Sequence, residues 1–139
     1  MISRLFIIVL VLLIFGSCTK KTEKAITKVD VPSNLIGAWN WLYSEGGYVP
    51  IKLSPSKTGQ TRKIEFNLDG NYRYIVNDTS ILVTKFHIEK IPYFSHDSTL
   101  VIITNSWPDY QSFWFRTSDT LILSDGGADT FDHHFARIK

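Results

Sequence analysis

The densest run of side chains able to bind metal or move protons is Asp125-Gly126-Gly127-Ala128-Asp129-Thr130-Phe131-Asp132-His133-His134. Carboxylates and imidazoles supply the oxygen and nitrogen ligands of divalent ions, so a metal site is the first chemistry to consider. The spacing argues against it, because the acidic positions do not follow an EF-hand loop. His133 and His134 are neighbours, and neighbouring side chains on a strand leave by opposite faces, so the two do not easily share an ion. The run reads instead as a hairpin whose Asp and Gly residues satisfy turn geometry, and no metal or cofactor is expected. Nucleophilic and phosphate chemistry find no support either. The chain has no Gly-x-Ser-x-Gly elbow, no His-Glu-x-x-His helix motif and no glycine-rich phosphate loop. His87 and His96 stand alone and read as surface residues. No catalytic residue is assigned, and the chain is not expected to be an enzyme.

The remaining reactive side chain is Cys18, the only cysteine, so no internal disulfide can form. It follows Arg4, an unbroken apolar run from Leu5 to Phe15, and the small pair Gly16-Ser17. That run has eleven residues, whereas a spanning helix needs about 20. The arrangement resembles the signal peptide of bacterial lipoproteins. The resemblance implies removal of residues 1–17, acylation of Cys18 (palmitate or a similar chain) and attachment to a membrane through that lipid. Thr19, where an Asp would imply inner-membrane retention, implies the outer membrane. The absence of an acidic run after Cys18 implies its periplasmic side.

Residues 18–31 read as the acylated Cys and a flexible tether. The stretch Thr19 to Asp30 carries four Lys against Glu23 and Asp30 and almost no large apolar side chain, so it cannot bury enough surface to fold alone. As a coil it would span roughly 20 Å. Residues 32–139 read as one domain. From Val31 onward ten Lys or Arg face eleven Asp or Glu, so the domain is near neutral. It has no basic stripe of the kind that tracks phosphates, and nucleic acid is excluded as a partner.

Within the domain, short stretches alternate in polarity with turn residues between them, the pattern of antiparallel strands. Ile36 to Ser44 alternates with Trp39, Trp41 and Tyr43 on one face. Lys63 to Leu68 places Ile64, Phe66 and Leu68 together, Asp69-Gly70 turns the chain, and Asn71 to Val76 returns. After a turn at Asn77 to Ser80 come Ile81 to Glu89, Ser98 to Thr104, Gln111 to Thr117, Thr120 to Ser124 and His133 to Ile138. Pro32 to Ile36 reads as a helical turn, and Gly46 to Thr61 as a long loop able to act as a lid. The fold class is therefore all-β, with eight antiparallel strands as an up-and-down barrel, or alternatively a two-sheet sandwich.

Gly37-Ala38-Trp39 at the start of the first strand resembles the Gly-x-Trp signature of lipocalins. In that family the Trp closes the barrel floor under an Arg from the last strand, and Arg137 stands at the matching place. The domain is also similar to small lipocalin-like bacterial lipoproteins through Thr58-Gly59-Gln60-Thr61-Arg62-Lys63-Ile64-Glu65-Phe66 and Asp69-Gly70. The structural signature implied is Gly37, Trp39 and Arg137. Aromatic side chains able to line a lumen are Trp41, Phe66, Tyr72, Tyr74, Phe86, Phe113 and Phe115. These rings can surround a small apolar ligand or pack solid. Two functions follow as expectations. One is a lipid-anchored envelope barrel that binds a small apolar ligand. The other is a non-enzymatic interaction or scaffold protein with a filled barrel. Its loops, with Tyr43, Tyr48, Tyr93, Phe94, Trp107 and Tyr110 in or near them, would meet another envelope protein.

Overall fold

The computed structural model describes residues 26–92, 98–106, 108–127 and 129–139. The signal segment, Cys18, Tyr93, Phe94, His96 and Trp107 lie outside the described residues. Among the described residues ten strands form: β1 (Thr27–Val29), β2 (Gly37–Gly46), β3 (Ile51–Leu53), β4 (Arg62–Phe66), β5 (Asn71–Val76), β6 (Thr79–Pro92), β7 (Ser98–Thr104), β8 (Tyr110–Thr117), β9 (Thr120–Asp125) and β10 (Phe131–Arg137). One short helix, α1 (Pro55–Thr58), lies between β3 and β4. Among the described residues no helix is long and apolar enough to cross a membrane.

Eight strands, β2 and β4 to β10, pair in an all-antiparallel ring that β10 closes onto β2. Closure removes the free sheet edges and excludes the two-sheet sandwich. Two-residue connections are matched by backbone geometry. Asn77 and Asp78, between β5 and β6, both take positive φ (49° and 60°), as a type I′ hairpin requires.

The two remaining strands fall where the sequence pattern predicts none. β1 pairs with Ile88 to Lys90 of β6, so Thr27–Val29, expected within the flexible tether, is part of the sheet. Backbone pairing to an edge that β5 leaves open supplies what its side chains cannot. β3 pairs with Ser44 to Gly46 of β2, and with α1 it structures much of the expected long loop. Pro32 to Leu35 is a turn, closed by the Leu35 N–H donating to the Pro32 carbonyl at 2.9 Å.

One end of the barrel is solid. Leu35, Trp39, Phe66, Ile88 and Leu121 are fully buried there, with Val29 and Val31 packed against them. Trp39 Nε1 donates to the Leu35 carbonyl at 3.0 Å. The Arg137 guanidinium lies 4.0 Å over the Trp39 ring and donates to the carbonyls of Ile36 (3.1 Å) and Asn34. Gly37 has φ +132°, and a Cβ there would stand 3.0 Å from Arg137 Nη1. Gly37, Trp39 and Arg137 thus form one closure: the small residue makes room for the guanidinium that caps the indole.

β2 departs from simple alternation. Its register with β10 shifts so that Tyr43 opposes His134 while Trp41 opposes Phe135, leaving Leu42 as an extra residue. Such a bulge re-aims the side chains that follow. Trp41 and Ser44 are both buried and Leu42 is exposed. Tyr43, expected to share a face with Trp39 and Trp41, instead stacks on His134 at 4.2 Å with Lys52 Nζ 3.5 Å from its ring. Leu68, expected beside Ile64 and Phe66, is 90 % exposed. β4 ends at Phe66, and the turn closed by Gly70 N–H on the Asn67 carbonyl carries Leu68 outward.

Candidate functional site

The other end of the barrel is hollow. A cavity of about 400 Å³ opens among the mouth-side ends of β4, β5, β6, β8, β9 and β10. Its floor is the upper face of the core, with Trp41, Ile64, Tyr72, Leu123 and Phe135. Tyr74, Ile81 and Leu82 form one wall, and Ser106 and Pro108 of the β7–β8 connection border it. Besides the hydroxyls of Ser106, Tyr72 and Tyr74, the polar side chains Arg62, Gln111, Asp125 and His133 line it.

Three of these groups, Gln111, Asp125 and His133, are held in a chain that Arg62 does not join. Trp41 Nε1 donates to Ser44 Oγ at 2.8 Å. Ser44 Oγ lies 2.6 Å from His133 Nδ1. His133 Nε2 lies 3.0 Å from Asp125 Oδ2, and Gln111 Nε2 donates to Asp125 Oδ1 at 2.6 Å. A carboxylate only accepts, so Nε2 carries the hydrogen shared with Asp125. In the neutral imidazole Nδ1 then accepts the Ser44 hydroxyl hydrogen, whose oxygen already takes the Trp41 N–H. The bulge at Leu42 makes this possible, since it brings Trp41 and Ser44, three residues apart, to the inner side together.

Ser, His and Asp in sequence invite comparison with an acyl-transfer triad. Here Ser44 is only 1 % exposed and does not border the cavity. A hydroxyl so enclosed has no approach for a substrate carbonyl. The chain instead fixes His133 and Asp125 at the rim of an apolar space, and satisfied polar networks of this kind rigidify a core.

Burial pushes the Asp125 carboxyl up, but hydrogen bonds from His133 and Gln111, and the charge of His133, outweigh it and hold the group below its ordinary 3.8. A folded-state value below the unfolded one favours the folded state above the ordinary value, and the benefit fades as pH falls through the folded value. The stability gap between the native chain and Asp125→Asn is therefore expected to be widest near neutrality and to close below about pH 3.8. Urea midpoints at about pH 6 and pH 3 measure it, and a gap unchanged between them would contradict the assignment. Burial, followed by the neighbouring Tyr74, raises the Tyr72 phenol well above its usual range. Burial also raises Tyr74, opposed by the Arg62 guanidinium beside it. Both remain neutral hydroxyls in ordinary solution.

Of the aromatic side chains expected to line a lumen, Trp41, Tyr72 and Tyr74 border the cavity. Phe66, Phe86, Phe113 and Phe115 belong to the packed half, where Phe66 meets Phe86 edge-on at 5.1 Å and Phe113 meets Phe115 at 6.1 Å. His87 pairs with Glu89 at 2.8 Å away from the cavity. Arg62, Ser44 and Gln111 were not singled out by the sequence as site residues. Arg62 carried one signal, its place in the Thr-Gly-x-Thr-Arg stretch. Ser44 carried none, because nothing in the sequence marks the bulge.

No family model matches the chain, and neither the curated proteins nor the solved structures compared with it show a match. The closed eight-stranded antiparallel barrel is compatible with a lipocalin-like fold.

Proposed function

We propose that this chain is a binding protein of the bacterial envelope that takes a small, mainly apolar molecule into the mouth of a lipocalin-like barrel. The observation that carries the reading is the cavity of about 400 Å³, walled by aromatic and aliphatic side chains with a few fixed polar groups. That is the composition of a small-molecule site, at the small end of the usual range of about 300–1,000 Å³. Acylation at Cys18 would hold the protein on the periplasmic side of the outer membrane. β1 runs antiparallel to β6 beside Ile88 to Lys90, the end of that strand away from Ile81 and Leu82 at the cavity. An anchor attached through β1 therefore leaves the mouth facing the aqueous compartment.

Titration with uncharged apolar probes such as decan-1-ol, followed by indole emission, tests the reading. Trp41 in the floor is expected to respond saturably, and no response from any probe would refute binding. The interaction-protein reading draws on one feature, the exposed Tyr48 (92 %) and Val49 (71 %) between β2 and β3. It would replace the first if probes fail and substitution of these two residues abolishes a protein contact.

A further inference from the structure

Arg62 is a cavity-wall side chain with a buried nitrogen, Nε, that the protein leaves without an acceptor. It opens β4, with its guanidinium carbon 4.3 Å from the centre of the Trp41 ring. Stacking of this kind holds a guanidinium flat and fixes the direction of its donors. Nη2 donates to Gln60 Oε1 at 3.2 Å. Nε is buried and donates to nothing. Among the described residues no ion pair includes Arg62, although Lys63 and Arg73 nearby both pair with Glu65.

A buried charged donor without an acceptor is costly, more so than an uncharged one. Asp125 does not offset it. Its two oxygens already accept from Gln111 and His133, and it lies on β9, with β2 and β10 between it and β4. In the cavity Arg62 meets Trp41 and Tyr74, and the apolar side chains Ile64 and Leu82 line the same space. A flat anionic acceptor attached to an apolar body matches the donors and the lining.

We propose that the ligand is a monocarboxylate, with its carboxylate against Arg62 and its hydrocarbon on Ile64, Leu82, Leu123 and Phe135. This rests on the binding reading above and narrows it. A planar carboxylate can accept from Nε and an adjacent Nη together, the geometry that makes Arg rather than Lys the usual partner. The Tyr74 oxygen accepts from the guanidinium and leaves its own hydroxyl hydrogen free to donate at the same end.

The test compares three ten-carbon probes on the full chain: decanoate, decan-1-ol and decylamine. Each displaces 8-anilinonaphthalene-1-sulfonate, whose emission reports occupancy. Decanoate is expected to bind at least about tenfold more tightly than decan-1-ol, with decylamine weakest. Arg62→Met should abolish the preference, bringing decanoate to the level of decan-1-ol measured on the same variant. Arg62→Lys should recover only part of the preference. Equal binding of the three probes to the native chain, or a preference that survives Arg62→Met, would overturn the carboxylate proposal and leave the binding reading intact. Failure of all three to bind would overturn both.

Discussion

Trp39→Ala is expected to lower the unfolding free energy by about 3–5 kcal/mol, the range for removing a large buried aromatic. Trp39 is fully buried and is the largest side chain at the closed end. Its loss would take one partner from each of three groups. The Leu35 carbonyl would lose the indole N–H at 3.0 Å, the Arg137 guanidinium would lose the ring 4.0 Å beneath it, and Phe115 would lose a neighbour 6.0 Å away. Total stabilities of domains this size lie at about 5–15 kcal/mol, so the variant should sit near the edge of folding. Urea denaturation of the two proteins measures the difference. A loss under about 1 kcal/mol would mean that the floor repacks or is not built on Trp39.

Leu82→Trp should have the largest effect on binding, with little effect on stability. Leu82 opposes Tyr74 across β5 and β6 and borders the cavity. A larger ring there has empty space to enter, so the folded state should keep its stability to within about 1 kcal/mol. Probe affinity should fall by at least about tenfold, because the space is taken. The pairing of these results is what distinguishes a hollow mouth from a packed one. In a packed barrel the same insertion would cost about 1–3 kcal/mol in strain. Binding unchanged beside intact stability would place the ligand elsewhere.

Much of the barrel was legible in the sequence. Strands β4 to β9 follow from alternation and turn residues: Ile64 and Phe66 are buried beside half-buried Lys63 and Glu65, and Phe86 and Ile88 are buried beside exposed Lys85 and half-buried His87 and Glu89. Gly37, Trp39 and Arg137 were legible as a set through the family resemblance, and they meet at the closed end. Three things were not legible. The bulge at Leu42 turns Tyr43 out and Ser44 in, and a bulge is a register event between two strands rather than a property of one. β1 and β3 form because neighbouring strands leave open edges, which a local reading cannot see. The division of the lumen into a packed half and a hollow half depends on which rings meet. Phe66, Phe86, Phe113 and Phe115 fall at levels where rings from facing strands fill the space. Trp41, Tyr72 and Tyr74 border a level where the facing residues include Gln111, Asp125 and His133, which are drawn together by hydrogen bonds and leave room between.

The acid response of Asp125 and the probe selectivity of Arg62 test parts of the site. Entry of a small apolar molecule into the mouth, and not the floor, is read residue by residue by two-dimensional NMR during titration with decanoate. Trp41 and Trp39 carry indole N–H groups in the two halves, one donating to Ser44 and one to Leu35. Saturable shifts are expected at the Trp41 indole and at the methyls of Ile64, Leu82 and Leu123, with the Trp39 indole and the Leu35 and Leu121 methyls unmoved. Shifts confined to the outer surface, shifts centred on Trp39, or no shifts at all would contradict it.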